Sequence, residues 1–314
     1  MKILICPLNW GLGHATRCVP LIRRLINEGN DIVIASDGYP LAFLQQEFSE
    51  LSSIEIPSYP IRYSSGKSQI FAMLRNMPSI VGGVVREHRW LKHYLKTNNI
   101  DMVISDNRFG LWSKQTKSVY ITHQLMIKMP RGLAFLEPVA WRLHQAFINR
   151  YSACWIPDTS GEDNLSGDLA HKYPLPKNAE FIGILSRFQG MESSIEPNTD
   201  FDTVCVLSGI EPQRSIFEES LIERFRNSPT PTLIVRGQPQ AEKQTTKIGC
   251  VTLVSHLSTE EMTAHFRGAT KIISRSGYST IMDLAALNCL SKAELIPTPG
   301  QTEQEYLSEY HKMK

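Results

Sequence analysis

The sequence predicts an α/β protein of two domains whose mostly parallel sheets face each other across a cleft. Three observations predict it. The chain has 314 residues, above the usual size of a single domain. Short apolar runs of strand type alternate with helical segments in two successive blocks. Between the blocks lies a polar, proline-containing stretch without periodicity, Gln189 to Asp200. The organisation that follows is an N-terminal domain over 1–188, a linker over 189–200 and a C-terminal domain over 201–314.

The first block opens with a buried strand, Lys2–Cys6, and a turn, Pro7–Gly13. Apolar residues then recur at helical spacing over His14–Asn27 (Val19, Leu21, Ile22, Leu25, Ile26). Gly29-Asn30 ends that helix, and DIVIA at Asp31–Ala35 is the next strand, which completes a βαβ unit. Further strands are expected at Ile54–Ile56, Met102–Ser105, Val119–Thr122, Ala153–Ile156 and Phe181–Ile184. In the second block strands fit Thr203–Leu207, Thr232–Val235, Val251–Val254, Lys271–Ser274 and Ala293–Ile296. Open sheets of this kind bind ligands at the carboxyl ends of their strands, so loops there are where function is sought.

Composition narrows the class. The residues are 42% hydrophobic and 20% charged with a formal net charge of +2, too little to mark a nucleic-acid binder. Six scattered cysteines without metal-ligand spacing read as buried reduced thiols, the usage of a cytoplasmic protein. The apolar run before Pro7 is too short for a signal peptide, and no stretch is long enough to span a bilayer.

The loop Asn9-Trp10-Gly11-Leu12-Gly13-His14 follows strand one and opens the first helix. Gly11 and Gly13 allow close backbone approach to a ligand, and the helix N-terminus keeps an imidazole neutral. His14 is therefore a candidate base, although a histidine here can also simply cap the loop. The third glycine of a dinucleotide fingerprint is absent, which weighs against an oxidoreductase. Asp106, in Ser105-Asp106-Asn107-Arg108 after a strand, is positioned to orient His14; its bland reading is a turn or cap aspartate. Asn107, Arg108 and, after another strand, His123 complete the candidate residues on this side of the cleft.

In the second block, Ser274-Arg275-Ser276-Gly277-Tyr278-Ser279-Thr280 runs from a strand into a helix. Arg275, Ser276, Gly277, Ser279 and Thr280 form an anion site suited to a pyrophosphate. Asp283 either caps that helix or accepts hydrogen bonds from ribose hydroxyls. A Pro-x-Pro-Gly turn then presents Gln301, Glu303, Gln304 and Glu305, a polar cluster able to read sugar hydroxyls, though Glu305 also fits a capping box with Thr302. Ser208, Gly209 and Arg214 occupy the loop after the block's first strand. His256 is placed to frame a base, with an ordinary polar loop residue as its plain reading.

The glycine loop with His14, the Ser-Arg-Ser-Gly-x-Ser-Thr run with an acid three residues on, and the proline-rich turn before Gln304 resemble the GT-B glycosyltransferases. The likeness is greatest to the MurG and monogalactosyldiacylglycerol-synthase group. It implies two Rossmann-like domains, with the donor in the C-terminal one. His14 then falls on the base, Asp283 on the ribose-binding acid and Gln304 on the glutamine that contacts the donor sugar. It also implies an inverting, metal-independent transfer from a nucleoside-diphosphate sugar, UDP foremost, to a hydroxyl acceptor. No cofactor is implied, because the nucleotide sugar is a co-substrate. A nucleotide-sugar 2-epimerase and a non-catalytic nucleotide-sugar-binding protein are the alternatives. The family's closing helix, which crosses back to the N-terminal domain, is not expected within this sequence.

The stretch 125–150 holds Lys128, Arg131, Arg142 and Arg150 against a single acid, Glu137, with Phe135, Trp141 and Phe147 interleaved. This is the pattern of an amphipathic segment resting on an anionic membrane, or of a helix pair with a solvated basic face. It suggests a peripheral position on the inner membrane face and a lipid-linked acceptor.

Overall fold

A computed structural model describes residues 1–56, 69–191, 194–209, 211–238 and 242–314, with the side chains of 69–77 and 131 outside the description. In the N-terminal half the elements are β1 (Lys2–Pro7), α1 (Gly13–Asn27), β2 (Asp31–Ser36), α2 (Gly38–Glu47), β3 (Ser52–Glu55) and α3 (Gln69–Thr97). There follow β4 (Met102–Asp106), β5 (Lys117–Ile121), a 3-10 turn (Arg131–Leu136), α4 (Glu137–Ile148), β6 (Ala153–Ile156), the short α5 (Asp168–His171) and β7 (Ala179–Phe181). The C-terminal half has β8 (Thr203–Val206), α6 (Gln213–Phe225), β9 (Thr232–Val235), β10 (Thr245–Ile248), β11 (Val251–Val254) and α7 (Thr259–Gly268). It continues with β12 (Lys271–Arg275), α8 (Tyr278–Ala286), β13 (Ala293–Ile296) and α9 (Thr302–Met313).

The first sheet is ordered β3-β2-β1-β4-β5-β6-β7, and its neighbouring strands pair in parallel. Alternate residues of β1 feed two cores. Ile3 and Ile5 pack under α1, while Leu4 and Cys6 pack against the side chains of α3. This double burial is why the strands read as continuous apolar runs. The second sheet is ordered β10-β11-β9-β8-β12-β13 and is parallel except for β10. Strand order reverses direction between β1 and β4 in one sheet and between β8 and β12 in the other. At those two crevices an open α/β sheet binds ligands.

Most strands fall within a residue or two of expectation, two are displaced and one was not anticipated. β3 covers Ser52–Glu55 rather than 54–56, and β7 covers Ala179–Phe181 rather than 181–184. β10 was not anticipated, because its Thr-Thr-Lys-Ile is exposed along its length and carries no apolar run. Within 189–200 the described residues form no helix or strand, and Asn198 N–H donates to the Ala264 carbonyl (2.9 Å), tying the segment to α7. Residues 192 and 193 of that stretch lie outside the described residues.

The closing element also needs a correction. The crossing helix was not expected within the sequence, yet α9 itself lies against the N-terminal half. Thr302 Oγ1 donates to the Lys128 carbonyl (2.6 Å), and Tyr306 Oη accepts from the Asp168 amide (2.7 Å). Tyr310 Oη donates to Asn164 Oδ1 (3.0 Å). Sequence periodicity can place a helix but not its partner, so the helix was visible and its crossing was not.

Candidate functional site

The site begins at the end of β1. Pro7 is in register with Asp106 on β4, so the loop leaving β1 passes directly over the end of β4. Gly11 adopts φ +111°, a conformation open to glycine, and turns the chain into α1 at Gly13. His14 then stands on the first turn of α1, with its Nδ1 2.8 Å from Asp106 Oδ1. The pair sequence reasoning proposed is therefore in contact.

Arg17, three residues further along α1, was missed. It is 1% exposed. Its Nε donates to Asp106 Oδ2 (2.6 Å), its Nη2 donates to Asp106 Oδ1, and its Nη1 donates to His123 Nδ1 (3.2 Å). An arginine inside an amphipathic helix gives no sign in sequence that it points inward. His123 continues the chain across the cleft, with Nε2 2.7 Å from Glu303 Oε1 on α9. Its ring also stacks on Tyr278, the first residue of α8, at 4.1 Å and 3°. Five side chains from both halves thus form one hydrogen-bonded cluster.

Burial would raise the Asp106 pKa, but Arg17 and then His14 outweigh it and hold the carboxyl well below the usual carboxylate range. Burial lowers the His14 pKa, with Asp106 only partly restoring it, so the ring is neutral near pH 7. Asp106 Oδ1 (2.8 Å) and Arg17 Nη2 (3.0 Å) both face His14 Nδ1; with Nδ1–H donated to the carboxylate, the lone pair of Nε2 is the basic position. For Glu303, burial raises the pKa while His123, His14 and Arg17 together bring it below normal.

The C-terminal loops close on this cluster. Ser279 Oγ donates to the Gly13 carbonyl (3.0 Å), and a Cβ on Gly11 would lie 3.9 Å from the Gly209 Cα. The loops after β1, β8 and β12 therefore meet at the two crevices. Gly277 caps α8, leaving the first-turn amides of that helix without helical partners. Thr280 belongs to the same turn. Ser276 is fully buried and donates to the Gln304 carbonyl (2.7 Å), while Gln304 Oε1 accepts from the Thr298 amide (2.8 Å). Glu305 accepts from the Gly300 amide (3.0 Å), a turn-closing role, and Gln301 is the residue before α9.

Several expected ligands are otherwise engaged. Arg275 is 5% exposed, donates to the Pro297 carbonyl (2.8 Å) and lies over the Phe217 ring at 4.0 Å. Burial lowers its pKa to about 10. Arg214 bonds Glu211 and Glu218, and Glu218 also binds Arg236. Both guanidiniums are thus engaged by groups of the protein itself. Arg108 is likewise fully buried and paired with Glu87 (2.8 Å), and Asn107 Oδ1 accepts from Tyr120 Oη (3.1 Å), so both support the loop rather than line it. Ile210, beside Ser208 and Gly209, lies outside the described residues.

A cleft of about 340 Å³ opens beside this region, lined from the N-terminal half by Leu12, Thr16, Phe43 and Arg187 and from the C-terminal half by His256 and Thr259. His256 Nδ1 lies 3.0 Å from Ser255 Oγ. Arg187, also unanticipated, is stacked over Phe43 and Phe188, and its Nε has no hydrogen-bond partner among the described residues. Asp283 accepts from Ser186 Oγ (2.7 Å), and burial, opposed by Arg187, raises its pKa to about 6. No group of three or more His, Cys, Asp or Glu among the described residues is placed to hold a metal ion.

Comparison with solved structures then decides the fold. The glycosyltransferase of kitacinnamycin superposes with a TM-score of 0.58 at 15% identity, covering 99% of this chain and 95% of its own. LpCGTa in complex with UDP gives 0.57 at 13%, covering 98% and 82%. This chain has the GT-B fold. A Listeria monocytogenes protein provisionally assigned as a UDP-N-acetylglucosamine 2-epimerase shares it at 0.50 and 12%, covering 97% and 86%. No protein-family model matches the sequence, and no curated protein matches it. Identities this low establish the GT-B architecture and leave the chemistry to be argued from the residues.

Proposed function

We propose that this chain is a glycosyltransferase moving a sugar from a nucleoside-diphosphate donor, UDP foremost, to an acceptor hydroxyl. The observation that carries the reading is the His14–Asp106 pair, set at the β1 crevice and bonded through Gly13 to the start of α8. A neutral imidazole oriented by a buried carboxylate is a general base. The helix N-terminus opposite it is an anion site.

In the reaction the acceptor oxygen attacks the anomeric carbon and its proton passes to His14 Nε2. The bond from that carbon to the diphosphate oxygen breaks, and the nucleoside diphosphate leaves with the electron pair. One displacement inverts the anomeric configuration. The first-turn amides of α8 stabilise the leaving charge, with Ser279 and Thr280 beside them. Arg275 and Arg214 do not take part, because other groups hold them. Asp283 receives the ribose, and Gln301, Glu303 and Gln304 face the sugar. No metal is required in this scheme.

The acceptor is proposed to be lipid-linked and the protein peripheral on an anionic membrane. On the 3-10 turn and α4, Phe135, Val139 and Leu143 are 72%, 54% and 64% exposed. Arg86, Arg89, Lys92 and Lys96 on α3, Arg142 on α4 and Arg150 just after it are exposed. The acids of these helices, Glu87 and Glu137, are buried. The side chain of Arg131, also expected here, lies outside the described residues. Among the described residues no helix is long and apolar enough to cross a membrane.

A thermal-shift panel with UDP, GDP, dTDP and their common sugars tests the donor reading. Stabilisation by one nucleotide and its sugars is expected, and no shift with any of them would overturn it. Isomerised nucleotide sugar formed without acceptor would instead identify an epimerase.

A further inference from the structure

We propose that Arg17 and Glu303 are positioning residues that set the proton affinity of His14 from opposite directions, through one buried cluster that spans both halves. The inference rests on His14 being the base, but its physical content is a property of the ligand-free protein.

Both Asp106 Oδ1 (2.8 Å), which can only accept, and Arg17 Nη2 (3.0 Å), which can only donate, face His14 Nδ1, and the shorter contact places the proton on that nitrogen. Arginine can only donate, so His123 Nδ1 accepts from Arg17, and the His123 proton resides on Nε2, which donates to Glu303. Asp106 can only accept, and it takes two bonds from Arg17 and one from His14. The cluster sets two carboxylates against one guanidinium, so its fixed charges sum to −1. A proton arriving on His14 brings it to neutrality. Asp106, Arg17 and His123 are almost fully buried, and charge imbalance there is far more costly than in solvent.

Every titratable neighbour is accounted for. On α1 are Arg17 and Cys18, the latter 3.7 Å from Asp106 Oδ2. β4 supplies Asp106, the loop after β5 supplies His123, α8 supplies Tyr278, and α9 supplies Glu303. Burial first, then Asp106, keeps the Cys18 thiol protonated, and burial does the same for the Tyr278 hydroxyl. The charged groups that bear on His14 are Asp106 and Arg17 and, across His123, Glu303; charge on His123 itself would also oppose protonation of His14. Asp106 touches the ring and orients it. Arg17 opposes its protonation, and Glu303 favours it from the far side of His123. On the proposed reading Glu303 faces the sugar, so sugar hydroxyls that donate to this carboxylate change the field at the base. Donor occupancy and proton affinity are then linked.

The experiment is a histidine-labelled NMR titration of the ligand-free protein, with the His14 signal identified by its loss in His14→Gln. Glu303→Gln is expected to lower the His14 pKa by about one unit, the effect of removing one charge at this remove in an effective dielectric near 20. Arg17→Gln is expected to raise it by at least as much. Unchanged titration in both, or shifts in the same direction, would overturn the proposal. Glu303 is only part-buried, so its variant carries the test if Arg17→Gln does not fold. Failure to bind any nucleotide sugar would remove the transferase reading and leave this titration result standing.

Discussion

Ser279 Oγ donates to the carbonyl of Gly13, so the first turn of the helix on the donor side is bonded to the residue that precedes the candidate base. The contact is tight, since a Cβ on Gly13 would lie 2.8 Å from that hydroxyl and 3.0 Å from the Ser279 Cβ. Gly13→Ala must therefore displace α8 or the loop that carries His14. Overpacking of this kind costs about 1–3 kcal/mol. Ser279→Ala removes one hydrogen bond, about 1 kcal/mol. Gly13→Ala should lower turnover more than Ser279→Ala, and the double variant should recover part of the loss. Steady-state rates of all three check this, and purely additive losses would show that the two residues do not press on each other.

His14→Ala removes the proton acceptor and leaves the α8 amides and Asp283 untouched. Turnover should fall on the order of 10²–10⁴-fold, the usual range for one general base. Nucleotide affinity by calorimetry should stay within about twofold of wild type. If affinity collapsed while the rate for bound donor persisted, His14 would be a donor ligand.

Asp106 holds a second duty beside orienting His14, because among the described residues it is the one carboxylate that Arg17 contacts directly. Asp106→Asn leaves a buried guanidinium without its counter-charge, a loss of about 3–5 kcal/mol. The variant should unfold at lower urea than His14→Ala, which removes no charge from the core. Adding Arg17→Met should restore part of the stability, since two removed charges leave no orphan. A double variant no more stable than Asp106→Asn would count against this ion pair.

Much of this site was legible in sequence, and the reason is local. His14, Asp106 and Gly277 end strands or open helices, where pattern and chemistry coincide, and Asp283 lies one turn into the helix that Gly277 opens. What stayed hidden depends on direction. Arg17 and Arg187 are ordinary arginines until the fold turns them inward. Arg275 and Arg214 looked like phosphate ligands, yet the fold gives them to carbonyl groups, Phe217 and Glu218. His123 and Glu303, 180 positions apart, meet only because α9 crosses to the first half. Spacing along a chain cannot report such pairings.

The pH dependence of nucleotide binding tests Asp283. Burial, opposed by Arg187 and Ser186, raises its pKa from 3.8 to about 6 in the folded protein. The folded state therefore binds the proton more tightly than the unfolded one. Its contribution to stability is full below about pH 4 and is lost as pH rises through 6. Ribose hydroxyls donate best to the ionised form. UDP affinity should accordingly strengthen between pH 5 and 7 in the wild type, and Asp283→Asn should flatten that rise. A slope unchanged in Asp283→Asn would place the titrating group elsewhere.

The membrane reading makes a separate demand on the exposed stripe of α4 and the turn before it. Phe135, Val139 and Leu143 are four residues apart and lie along one helical face. Inserting three such side chains contributes about 1.5–3 kcal/mol each at full burial, less here because insertion is partial. The six exposed cations add a salt-sensitive attraction that fades beyond the Debye length. Both terms are needed for stable association, since neither alone is large. The wild type should therefore co-sediment with vesicles of phosphatidylglycerol and phosphatidylcholine at low salt, weakly with phosphatidylcholine alone, and less as salt rises. Replacing Phe135, Val139 and Leu143 with serine should abolish sedimentation while leaving UDP affinity unchanged, because none of the three lines the cleft. Equal binding by the triple variant would assign the attraction to charge alone, and no binding by the wild type at low salt would remove the membrane from the proposal.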